Sequence, residues 1–463
     1  MRLATLEHLF SPQIPHELSN FLYVSRLPEQ KTWAVNVSPS KSVTNRAIVL
    51  SAMSSKPIEL NGPLLANDTW WGLTALESLG FALDLSALPE KIKIQPPNRF
   101  STRECVDLHV GQAGTLARFL PAALLNWNIL QPQAQVQQFK LTADPQMMKR
   151  PLLPLLNGLK EWGAHIPSIN WPVELRPSQL SGTCRIDGSQ SGQFLSGLLL
   201  AAAGSGQQCS IERFSHLVQP DYVRITLSML ADFGIEVVHG AHLVHFSVPA
   251  QKLNPPESYT IEADASTACY FAALACVLGR ALNVLNLGSE TLQPDFQFFE
   301  FLKQFFCQVS TSAQSCNVIG APSEREPPND APLSFDLTHC SDQAITVGVL
   351  ALCTRKSVRV TGVAHIRHHE SDRIASFCKN CHELGVAAVE YPDGFHVPVG
   401  THPQKLSGVW KTHNDHRFAL AGVVLAACAP NVAVENVGCM KKTAPDFIQK
   451  LSALGFQFSS SRN

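Results

Sequence analysis

Polar and apolar positions along this chain follow one design that recurs six times. A short run of small polar or charged residues opens into an apolar, alanine-rich segment. The runs start at Ser40-Lys41-Ser42, Gln112-Ala113-Gly114-Thr115, Ser189-Gln190-Ser191-Gly192-Gln193, Asp264-Ala265-Ser266, Ser341-Asp342-Gln343 and Asn414-Asp415-His416-Arg417. Such a pattern predicts a helix whose first turn meets a ligand while its body is buried. The starts are spaced roughly 70 to 80 residues apart, as in an internally repeated fold. A second pattern follows most of them: an amphipathic stretch closing in glycine, then a β-branched run. The glycines are Gly80, Gly163, Gly234, Gly385 and Gly455, whereas the fourth repeat, near Phe301–Phe306, has none. Glycine there is the expected left-handed helix stop. Each repeat therefore reads as strands alternating with two helices.

Six repeats divide into three plus three, and the stretch 249–256, with Pro255-Pro256, is the expected crossing between halves. Residues 1–33 read as irregular and proline-interrupted, with a strand at Trp33–Val37 feeding the first helix. The proline-rich stretch 322–332 reads as a surface loop.

Length agrees with this division, since 463 residues exceed one ordinary core. Hydrophobic residues make up 45% and charged residues 16%, which suits large buried faces. A formal net charge of -1 gives no electrostatic basis for a nucleic-acid or membrane partner. No apolar run approaches the ~20 residues that span a bilayer, and no leader pattern opens the sequence. A cytoplasmic monomer is expected. The 13 cysteines form no framework of spacings, so reduced thiols are expected. Cys378-Lys379-Asn380-Cys381-His382 matches a haem-attachment pattern by chance, inside a helical stretch. His365, His368 and His369 complete no zinc pattern, so no metal is expected.

Charged and amide side chains at the helix starts change the picture most. Lys41 and Arg46 belong to the first, Arg118 to the second, Gln193 to the third, Asp342 to the fifth and Arg417 to the sixth. Glu370-Ser371-Asp372-Arg373 and Lys441-Lys442 lie outside the starts. Taken singly, Ser40, Asp342 and Asn414 are plain N-caps, Arg118 a structural partner, and Glu370 with Arg373 an i,i+3 surface pair. Their coincidence at equivalent points of a repeat favours a site instead. Convergent helix N-termini with lysine and arginine bind anions, and two carboxylates among them can act as acid and base. A substrate carrying several phosphate or carboxylate groups follows.

In order along the chain, these stretches resemble the enolpyruvyl transferases, most closely the shikimate-pathway branch. The similarity runs from about residue 34 to 456 and includes Ser40–Arg46, Gly111–Thr115, Leu141–Pro145 with Arg150-Pro151, and Asp187–Leu195. It continues through Asp264–Ser266, Ser341-Asp342, Glu370–Arg373, Asn414–Arg417, Lys442-Thr443 and Pro445–Phe447. The resemblance implies an α/β (α+β) fold: a two-domain inside-out α/β barrel of six βαβαββ-like repeats, three per domain. It places 1–38 with 261–463 in one domain and 39–260 in the other, with the active site in the cleft between them. The implied reaction transfers the enolpyruvyl group of phosphoenolpyruvate to a hydroxyl of shikimate 3-phosphate or a related acceptor. It passes through a tetrahedral intermediate and releases phosphate. No metal or organic cofactor is implied, and the partners are small anions. An enzyme with a different acceptor or donor, and a non-catalytic binding relative, are the alternatives.

By position, Asp342 resembles the base on the acceptor hydroxyl, Glu370 the acid at the phosphoenolpyruvate methylene, and Lys41 the cation at the reacting oxygens. Ser42, Arg46, Ser191, Gln193, His365 and His369 fall at acceptor-binding positions. Gly114, Gln146, Arg373, Arg417 and Lys442 fall at phosphoenolpyruvate positions. Departures from the family pattern also stand out. Gln146 and His369 replace a usual arginine and lysine, Gly192 a usual serine, and Gln112 a usual asparagine. The stretch Val218-Gln219-Pro220-Asp221-Tyr222 is one residue longer and lacks a serine. A neutral amide cannot make the charge-assisted fork of an arginine, and a histidine holds phosphate less well as pH rises. Weak use of the standard substrate pair is therefore the expectation.

Overall fold

The computed structural model describes residues 3–461 apart from 11–14, 16–17, 19, 99, 322–330 and 401. The expected loop at 322–332 falls almost wholly outside the described residues. Six buried helices dominate: α1 (Lys41–Ala52), α2 (Gly114–Leu125), α3 (Gly192–Ser205), α4 (Ala265–Leu278), α5 (Ala344–Thr354) and α6 (His416–Cys428). Each begins at, or one short turn beyond, one of the six polar starts. Their apolar character all round the helix explains the burial. In α4, for example, every residue from Ala265 to Cys276 is buried.

Around these helices the described strands form six four-stranded sheets of one design. A parallel pair is extended by two antiparallel strands, as where Ser101–His109 lies parallel to Ala134–Thr142. Val173–Arg176 and then His165–Ser168 follow antiparallel. The chain falls into two compact units: residues 1–10 with 39–261, and residues 11–38 with 262–463. Two strands distant in sequence close them. Ser258–Thr260 pairs in parallel with Ile58–Asn61 to complete the first unit's opening sheet. Thr32–Val35 does the same with Ala281–Val284 in the second unit. Because strand 258–260 still belongs to the first unit, the crossing lies just after it rather than within 249–256.

The N-terminal residues are more ordered than expected. Phe21–Arg26 forms a strand between Asn431–Glu435 and Gln457–Ser459, completing the sheet of the sixth repeat, in the second unit. Its apolar positions explain this, since Leu22 and Val24 are buried in the second unit's core. Residues 1–10 were expected with the second unit and instead pack with the first. Leu3, Leu6 and Phe10 are buried in its core, with the Phe10 ring 5.3 Å from that of Trp70.

Gly80, Gly163, Gly234, Gly385 and Gly455 all have positive φ, so the helix stops are as expected. In the fourth repeat Phe306 takes the same backbone conformation, φ 64°, and its ring lies under the Lys356 ammonium at 4.1 Å. At Gly385 a Cβ would meet nothing within 4 Å, although φ is +80°. Gly385→Ala should therefore cost about 1 kcal/mol from backbone strain alone, read as a lower denaturation midpoint with an unchanged m-value. All the described cysteines are free thiols. Cys378 and Cys381 are buried in helix Arg373–Glu383, which fits their chance match to a haem motif. Among the described residues, no helix is long and apolar enough to cross a membrane, and no cluster of His, Cys, Asp and Glu could hold a metal ion.

Candidate active site

Each unit gathers its own set of charged groups at the helix starts. In the first unit Lys41 opens α1, behind a Ser40 side chain that caps the helix by accepting from the Val43 N–H. The Lys41 ammonium lies 3.3 Å from Asp68 Oδ2, a carboxylate only 1% exposed. One turn on, Arg46 is held inside the unit. Its Nε donates to Thr226 Oγ1 at 2.8 Å, Nη2 to the Tyr222 carbonyl at 3.0 Å, and Nη1 to the Ser42 hydroxyl and carbonyl. Burial lowers its pKa to about 10, still far above neutrality.

Gly114 begins α2, and a Cβ there would lie 2.6 Å from Arg150 Nη1 and 2.8 Å from Arg118 Nη1. Arg118 is structural: it donates to the carbonyls of Gly114 and Pro151 at 2.9 and 2.8 Å. Arg150 was left without a role by sequence reasoning, which looked to Gln146 and found no arginine. Arg150, four residues beyond Gln146, brings a guanidinium beside Gly114. Gln146 sits in the short helix Pro145–Met148, and Arg150 follows that turn directly. The signal available was the Arg150-Pro151 pair itself, which belonged to the resemblance.

The Ser191 hydroxyl caps α3 by accepting from the Gln193 N–H. Gln193 Oε1 is buried and has no hydrogen-bond partner among the described residues. Buried acceptors are seldom left so, and this one is suited to a ligand. Gly192 packs against the 218–222 stretch. A Cβ at 192 would lie 2.8 Å from the Val218 carbonyl and 3.3 Å from that of Gln219. A serine would collide with that backbone.

The second unit holds a network of alternating charges. Arg373, whose side chain is 2% exposed, stands at its centre. Its Nε and Nη2 donate to Asp415 Oδ2 and Oδ1 at 2.8 and 3.2 Å. Nη1 donates to Asp342 Oδ1 at 2.8 Å and Nη2 to Glu370 Oε2 at 2.9 Å. Arg417 Nη2 reaches Asp342 Oδ2 at 2.7 Å, and the Lys442 ammonium reaches Glu370 Oε1 at 2.8 Å. Asp415, not Asn414, caps α6, accepting from the Arg417 N–H at 3.0 Å. Asp342 caps nothing: it lies in the 3-10 turn Ser341–Gln343 before α5.

Electrostatics follow from this geometry. Burial alone would raise the Asp342 pKa, but Arg417 and Arg373 outweigh it and hold the carboxyl below the usual range. Burial works against the Arg373 charge, yet Asp415, Glu370 and Asp342 keep it protonated at any accessible pH. Tyr270, whose hydroxyl lies 3.4 Å from Arg417 Nη1, is pushed up to about 12 by burial and stays neutral. His365 Nε2 is 2.8 Å from the Ser341 hydroxyl, bracing the turn that carries Asp342. His369 was expected to be partly charged near neutrality. Burial first, and the Arg373 cation next, instead hold its pKa well below the ordinary value.

Of the residues singled out from sequence, the second unit thus brings together Asp342, Glu370, His365, His369, Arg373, Arg417 and Lys442. The first unit carries Lys41, Ser42, Arg46, Gly114, Gln146, Ser191 and Gln193. Chemically, the second set pairs two carboxylates with three cations that an anionic substrate could draw away.

The comparisons agree with this chemistry. The family model for EPSP synthase (3-phosphoshikimate 1-carboxyvinyltransferase) matches residues 28–451. A 3-phosphoshikimate 1-carboxyvinyltransferase 2 of Halalkalibacterium halodurans is 32% identical, over 97% of this chain and 98% of its own. A 3-phosphoshikimate 1-carboxyvinyltransferase of Aliivibrio fischeri is also 32% identical, over 91% of this chain and 96% of its own. Among solved structures, an EPSP synthase from Acinetobacter baumannii superposes with a TM-score of 0.71 at 20% identity, covering 95% of this chain and 99% of that one. The enolpyruvyl transferase NikO from Streptomyces tendae superposes with a TM-score of 0.69 at 15% identity, covering 95% and 98%. These two show a shared fold. With the family model spanning nearly the whole chain and relatives above 30% identity along its length, the chain belongs to the EPSP synthase family, a family of transferases.

Proposed function

We infer that this chain transfers the enolpyruvyl group of phosphoenolpyruvate to a hydroxyl of shikimate 3-phosphate, releasing phosphate, in aromatic amino acid biosynthesis. The observation that supports it best is the Asp342–Arg373–Glu370–Lys442 network with Arg417 attached, in which each carboxylate touches cations suited to a substrate anion. Phosphoenolpyruvate draws Arg373, Arg417 and Lys442 onto its own phosphate and carboxylate. Arg150 beside Gly114 supplies the fourth guanidinium or ammonium contact, the role first sought at Gln146. Asp342, relieved of part of its pairing, accepts the proton of the acceptor hydroxyl as that oxygen attacks the enol carbon. Glu370 gives a proton to the methylene, which becomes a methyl group in the tetrahedral intermediate. Loss of that methyl proton and of phosphate restores the enol ether. Lys41, oriented by Asp68, neutralises charge on the oxygens between the two reactants.

Acceptor contacts fall to Ser42, Ser191, Gln193, His365 and His369, with Arg46 fixing the α1 turn that presents Ser42. No metal or organic cofactor enters this scheme. The substrates are small anions, and we propose a monomer that works in the cytoplasm without nucleic-acid or membrane partners. Expression in a bacterium lacking its own 3-phosphoshikimate 1-carboxyvinyltransferase tests the reading. Growth without aromatic amino acids is expected, and failure of well-expressed protein to restore growth would count against it.

A further inference from the structure

His369 departs from the family's usual lysine, and its surroundings decide what it offers a ligand. Its Nδ1 lies 3.0 Å from Arg373 Nη1. A guanidinium has only donors, so Nδ1 must accept and carries no proton. The ring proton is then on Nε2, which has no hydrogen-bond partner among the described residues. The side chain is 16% exposed, matching that of Asp342, whose Oδ1 is 4.0 Å away.

We propose that His369 meets the acceptor through a single neutral donor, Nε2–H, so this enzyme recognises an acceptor oxygen there by a directed hydrogen bond rather than by positive charge. The proposal rests on the transferase reading above. Charged groups around the ring bear on it from both packed elements. Arg373, on helix Arg373–Glu383, and His365, whose ring is 5.7 Å away, oppose a second proton; Asp342 and Glu370 favour one. Burial and the fixed Nδ1···Arg373 contact tip that balance toward the neutral ring.

Two consequences separate this from a merely structural histidine. The acceptor KM should show no inflection from His369 between about pH 6.5 and 8.5, the range in which an ordinary imidazole loses its charge. His369→Leu, lacking the donor, should raise the acceptor KM about two- to tenfold, the value of one neutral hydrogen bond, with kcat changed less. His369→Gln, which keeps a neutral donor, should raise the acceptor KM less than His369→Leu does. Nitrogen-15 NMR of histidine-labelled enzyme, with the signal assigned by its loss in His369→Gln, reads the tautomer directly and without turnover. A neutral Nε2–H ring throughout that pH range is expected. A ring that titrates there, or an Nδ1–H tautomer, would overturn the proposal even in an active enzyme. A KM unchanged in His369→Leu would overturn the acceptor contact. Absence of turnover in the parent would instead overturn the functional reading on which the contact depends.

Discussion

Asp342→Ala and Glu370→Ala should each lower kcat by about 10²- to 10⁴-fold, the range for a positioned acid or base. Both carboxylates are already gripped by cations, Asp342 by Arg373 and Arg417 and Glu370 by Arg373 and Lys442. Removing either leaves those cations available to substrate anions, so phosphoenolpyruvate binding should hold or tighten while turnover collapses. Steady-state kinetics beside direct binding of phosphoenolpyruvate checks the pair of effects. Near-normal kcat in either variant would remove that residue from its assigned role. Because Arg417 and Arg373 depress the Asp342 pKa, its deprotonated form should persist to low pH. The acid limb of the parent's pH profile should then arise from another group.

Arg373→Ala should be the most damaging change to stability. Arg373 is buried against Asp415, which is fully buried, and against Glu370 and Asp342. Deleting one partner of a buried ion pair leaves the other charge uncompensated and costs about 3–5 kcal/mol. The sign of its pH dependence follows from Asp342. A carboxyl with a depressed folded pKa contributes stability above its unfolded pKa and loses it as pH falls through the folded one. With Arg373 gone, Asp342 keeps only the Arg417 guanidinium, its folded pKa moves back toward the unfolded value, and less stability should be lost as pH falls below about 4 than in the parent. Urea unfolding at pH 7 and at about pH 3 measures both effects. Parent-like midpoints at the two pH values would mean the network does not support the unit.

The architecture was legible because its signals are local and repeated. A polar start followed by an all-round apolar helix can be read six times over, and five glycine stops mark the second helices without reference to tertiary contacts. What escaped depends on partners far away in sequence. Strand Phe21–Arg26 is recognisable only once strands 431–435 and 457–459 flank it. Residues 3–10 are anchored by Trp70 and its neighbours in the first unit. Within the site, residue identity and order pointed to Asp342, Glu370, Arg373, Arg417 and Lys442, since chemistry constrains which side chains can serve. Two others depend on surroundings that position alone does not give. Gln146 stands where the resemblance expects an arginine, with Arg150 beside Gly114, and His369 looked like a weak cation although burial first, and Arg373 next, hold its pKa well below the ordinary value. At Gly192 the close Val218 and Gln219 carbonyls leave no room for the usual serine.

Phosphorus NMR of the purified protein with shikimate 3-phosphate and phosphoenolpyruvate tests the central claim most directly. The account predicts that the phosphoenolpyruvate signal disappears as inorganic phosphate appears in equal amount. The shikimate 3-phosphate signal should be replaced by that of a new phosphate ester, and all of this should be abolished in Glu370→Ala. Unchanged signals from folded, substrate-saturated protein would contradict it, as would phosphate release without a new ester.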